Sequence, residues 1–65
     1  MDRTRALAAV DDAFTEGMRH IFDVLMTGIV TGDEEHAHAH FRTGLESLKR
    51  THEIVTAEVE KTFAA

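Results

Sequence analysis

The sequence predicts an all-α fold: an antiparallel two-helix hairpin that assembles as a homodimeric four-helix bundle. Three observations carry this expectation. Two long stretches place apolar residues at alternating spacings of three and four, a short glycine-bearing segment separates them, and the chain has no Pro to interrupt either stretch. The expected layout is one hairpin domain over residues 1–65. Helix 1 covers about 3–30, a turn about 28–33 and helix 2 about 34–63, each boundary read to a few residues.

In the first stretch Leu7, Val10, Phe14, Gly17, Ile21, Val24 and Gly28 form the stripe of a helix that packs in coiled-coil fashion. Asp2 or Thr4 stands where a side-chain oxygen caps the first turn. In the second stretch His38, Phe41, Leu45, Leu48, His52, Val55, Val59 and Thr62 keep the same alternation. Between them runs TGIVTGDEE. Gly28 and Gly32 each can supply the left-handed residue that ends a helix, and Thr31 or Asp33 can start the next. Thr31 and Glu34 also have capping-box spacing. A connection this short makes the two helices antiparallel neighbours. Gly17 and Gly44 then fall within about one turn of each other along the axis. Two readings of that pair stay open: a close approach of the backbones, or glycines facing solvent.

Composition narrows the roles. With 65 residues and no Cys, the chain has no disulfide framework and no thiolate zinc site to hold it together. A chain this short buries only about 60% of its unfolded surface, so it is marginal alone and association with a copy is expected. The formal charge of −5 disfavours a nucleic-acid partner, because phosphate binding is driven by clustered positive charge. No stretch approaches the ~20 apolar residues that span a bilayer, and the start of the chain lacks a signal-type apolar core. No membrane partner and a cytoplasmic location are the resulting expectations.

From Met18 to Val30 the apolar residues spread over most of the helix circumference, and the polar stripe shrinks to Glu16, His20, Asp23 and Thr27. One partner helix covers one stripe. Phe22, Met26 and Ile29, extended by Leu25 and Met18, are left as the expected interface. The least demanding cover is a second copy, with the dimer favoured; a helix of another protein laid across the hairpin is the alternative. The side-chain charges are read as structural, with Glu46 and Arg50, Lys49 and Glu53, and Arg19 and Asp23 at i,i+4 spacing.

The segment GDEEHAHAHF raises a metal question. A helix turns about 100° per residue, so His36 and His40 share a face while His38 points nearly opposite. His36 and His40 have ligand-pair geometry but no evident third ligand; the first reading is an acidic helix start whose carboxylates complement the dipole. Glu35 and His38 have the E-x-x-H spacing of di-iron bundles, with no converging carboxylates inside one hairpin. His38 and His52 sit on the expected apolar stripe, where a polar residue sets register and oligomer state. There is no Cys, a single Ser and no phosphate-binding glycine loop. The expected function is therefore a small homo-oligomeric protein acting through protein–protein contact as regulator, adaptor or assembly factor, not an enzyme and without a cofactor. The alternative is a metal-binding bundle using His36, His40, Glu35 and His38.

Overall fold

A computed structural model describes residues 1–64. Helix α1 spans Arg3–Val30 and helix α2 spans Glu34–Thr62; no strand occurs among the described residues. The two helices lie side by side as a hairpin, and the Cα trace measures 52 × 16 × 8 Å. Asp2 caps α1, its Oδ1 accepting the Arg5 amide hydrogen at 2.8 Å.

The turn is a Schellman motif built on Gly32. Its φ of +88° lies in the left-handed region, where a side chain is strained. The Gly32 amide donates to the Ile29 carbonyl at 3.2 Å and the Asp33 amide to the Gly28 carbonyl at 2.8 Å. Thr31 completes the end of α1 rather than the start of α2. Its hydroxyl donates to the Thr27 and Gly28 carbonyls at 2.9 and 3.1 Å, so the expected Thr31–Glu34 capping box does not form. The N-cap of α2 is Asp33, without a side-chain cap bond, and Glu34 and Glu35 supply the negative charge that complements the first turn.

The seam departs from the expected stripes by one residue at several places. On α1 Leu7, Val10, Phe14, Gly17, Ile21, Leu25 and Gly28 face the partner helix, so Leu25 replaces Val24, which is exposed. On α2 and at its C-cap the facing residues are Ala37, Phe41, Gly44, Leu48, His52, Thr56, Val59 and the capping Phe63. His38 is exposed and Ala37 buried in its place; Gly44, Thr56 and Phe63 likewise replace Leu45, Val55 and Thr62. The reason is helical phase. A straight helix of 3.6 residues per turn drifts about 20° per heptad from a strict 3.5-residue stripe, and over four turns that selects the neighbouring residue.

Small residues decide the spacing of the helices. A Cβ added at Gly28 would overlap the Cβ of Ala37; one at Gly17 would come within 2.5 Å of Leu48 Cδ2, and one at Gly44 within 3.2 Å of Ile21 Cγ2. Each glycine thus receives a side chain of the opposite helix, and neither Gly17 nor Gly44 faces open solvent. Among the described residues only Ala6 and Ala37 are buried, and no large side chain is. The ion pairs also differ from expectation. Arg3 clasps Glu60 across the open end, with Nε at 3.1 Å from Oε2, and Arg19 pairs with Glu16 at 3.8 Å rather than with Asp23. All four side chains are well exposed, so these pairs contribute at most about 1 kcal/mol each.

Candidate interaction surface

The expected interface residues divide in the hairpin. Met18 and Leu25 are half-buried against α2. Phe22, Met26 and Ile29 remain 56, 51 and 48% exposed, and they share one flank of α1 because they recur at intervals of four and three. Leu45 of α2 is exposed on the same side. Val30, at 79%, points away from the seam altogether. The hairpin thus presents a projecting patch of large apolar side chains over the half of its length nearest the turn.

The opposite face carries a feature that the stripe pattern hides. A groove of about 290 Å³ runs between the helices in the half nearest the chain ends, lined by Ala9, Val10, Ala13, Leu48, Thr51 and Val55, with Phe14 and His52 at its floor. Ala9 and Ala13 are too small to register as part of an apolar stripe, and the groove exists only where they meet α2. Their small size is the one sequence signal that points to it.

His52 and Thr56 are the polar residues of the seam, and His52 is the one that bonds across it. Its Nε2 lies 3.1 Å from Asp11 Oδ1 on the other helix, and its ring packs on Phe14 at a centroid distance of 4.8 Å and an interplanar angle of 58°. The bond joins residues 41 positions apart in sequence, so it ties the register of the two helices. Asp11 is 75% exposed and stays hydrated when His52 is lost. Leu at position 52 is therefore expected to raise stability by about 1 kcal/mol through added apolar burial, while removing the polar contact that selects one pairing. Denaturation midpoints and the native mass distribution of His52→Leu check both parts. A distribution as narrow as that of the parent would remove the register role.

Three of the other histidines, His36, His38 and His40, lie near the turn. His36 Nδ1 is 3.2 Å from Asp33 Oδ2, and these two share a shallow hollow with His40, Val24 and Thr27. His38 opens to the opposite side beside Glu34 and Glu35. Among the described residues no three His, Asp or Glu side chains converge as a metal-binding group. No described helix is long and apolar enough to cross a membrane.

No family model, no curated protein and no solved structure matches this chain.

Proposed function

We propose that this chain is a self-associating helical hairpin that works by binding protein, as a regulator, adaptor or assembly factor, and performs no chemistry of its own. Pairing with a second hairpin makes a four-helix unit and is the smallest step that takes an apolar flank out of water. The observation that carries this reading is the unpaid surface of the single hairpin. It exposes 5139 Å², whereas a compact monomer of its mass exposes about 4,200 Å². The surplus of roughly 900 Å² is close to the ~800 Å² that each partner of a standard interface buries. Phe22, Met26 and Ile29 provide the large apolar anchors that such an interface needs.

The test is a native mass spectrum of untagged protein, recorded with and without chelator. The expected result is a multiple of the 7.3 kDa chain mass with no added mass. A monomer at every concentration would overturn self-association. Stoichiometric metal that leaves with the chelator would instead support the alternative use of His36 and His40, or of Glu35 and His38 with groups from a second chain.

A further inference from the structure

Two apolar features lie on opposite faces and in opposite halves of the hairpin. The projecting patch of Phe22, Met26 and Ile29 occupies the half nearest the turn, and the groove walled by Ala9, Ala13, Thr51 and Val55 occupies the half nearest the chain ends. Their placement follows from helical phase. At 100° per residue, Phe22 and Ile29 fall on one side of the α1 seam and Ala9 and Ala13 on the other. The groove lining confirms the second side, because it brings Ala9 and Ala13 beside Thr51 and Val55 of α2.

From this we infer that copies associate head to tail, the Phe22–Met26–Ile29 patch of one copy seating in the Ala9–Ala13 groove of the next. This rests on the self-association proposed above and specifies its geometry. The shapes are complementary: large side chains project from one face, and Ala leaves room on the other. Charge along the patch edge of α2 is mixed, because Glu35, Arg42 and Lys49 recur there every seven residues, so shape rather than charge carries the pairing.

Two-fold pairing, the arrangement expected from sequence, would set the patch against its own copy and leave Val10, Leu48 and Val55 wet in the groove. Head-to-tail pairing covers both features. It needs a stagger of about 20 Å, from the 13 or so residues between groove and patch along α1 at 1.5 Å each. Every copy then has one patch and one groove, so the assembly does not stop at two. It grows into a ring or an open row, the outcome of any heterologous contact.

A complementation experiment tests this directly. Ala9→Glu with Ala13→Glu fills the groove and spares the patch; Phe22→Glu with Met26→Glu removes the patch and spares the groove. All four positions are exposed in the hairpin, so the substitutions do not enter the α1–α2 seam. The parent chain is expected to show species above the dimer in native mass spectra and sedimentation, their share rising with concentration. Each double variant alone is expected to run as one chain. An equimolar mixture is expected to form a 1:1 heterodimer and nothing larger, because that pair has no free patch and no free groove. Where a lone variant loses helicity with its partner, mixing is expected to restore both the far-ultraviolet helical signal and the doubled mass.

A groove variant that still dimerises with itself would overturn the inference, and so would a mixture that stays monomeric. A parent that stops at the dimer would overturn head-to-tail growth while leaving self-association intact. A parent that is monomeric throughout would remove both.

Discussion

Glu at both Phe22 and Met26 is expected to bring the native mass down to a single 7.3 kDa chain. Full burial of one large apolar side chain contributes about 1.5–3 kcal/mol. Phe22 and Met26 are already about half covered in the hairpin, so the two anchors together account for about 1.5–3 kcal/mol before the cost of bringing carboxylates toward an apolar surface. At 1.4 kcal/mol per decade, that weakens association by roughly 10–10²-fold. The hairpin left behind has no large buried side chain among the described residues, so its helical signal is expected to fall with the mass. Val30→Lys is the matched control. Val30 is more exposed than either anchor but lies off the patch, and a cation in the last turn suits the helix dipole. Its mass is expected to equal that of the parent. If the Phe22 and Met26 variant also keeps the parental mass in sedimentation, the patch is not the contact.

The second large effect is expected at Gly28, and its sign is the informative part. Gly to Ala within an exposed helix gains about 1 kcal/mol from propensity. At Gly28 the new methyl would overlap the Ala37 Cβ, with the Ala37 Cα only 3.5 Å away. The backbone there is not free to yield. Asp33 donates its amide to the Gly28 carbonyl, and its own carbonyl accepts from the Ala37 amide at 3.0 Å, so the turn holds both residues at this separation. Overpacking of this kind costs about 1–3 kcal/mol, and Gly28→Ala is expected to lose stability on balance. Gly44→Ala and Gly17→Ala meet only the side chains of Ile21 and Leu48, which are able to shift. Chemical denaturation is therefore expected to rank Gly44→Ala as the most stable of the three and Gly28→Ala as the least. A gain at Gly28 would show that the helices stand farther apart near the turn.

Much of the fold is legible in residue order. The spacing of Leu7, Val10, Phe14 and Ile21, and of Phe41, Leu48 and Val59, marks two helices that face each other. Gly28 and Gly32 mark the turn between them, and the structure gives the left-handed position to Gly32, since only glycine takes its positive φ without strain. The apolar flank of Phe22, Met26 and Ile29 is legible for the same reason, because large residues stand out against a single stripe. His38 was not legible. Assigning it to the seam follows from a strict three–four alternation, and the real helix is out of step with that alternation by one residue at its start.

By itself, then, the amino-acid order determined two helices, one tight turn and an excess of apolar surface on α1. Those features depend on local propensity, on a single left-handed residue and on periodicity within one segment. Tertiary structure decided which neighbour in each pair faces inward, Ala37 over His38 and Leu25 over Val24. It also joined Asp11 to His52, and it formed the groove behind Ala9 and Ala13. All of these depend on the relative rotation and spacing of two helices, quantities set by contacts such as Gly28 on Ala37 between residues that belong to different segments. A period read along one helix carries no phase relative to the other.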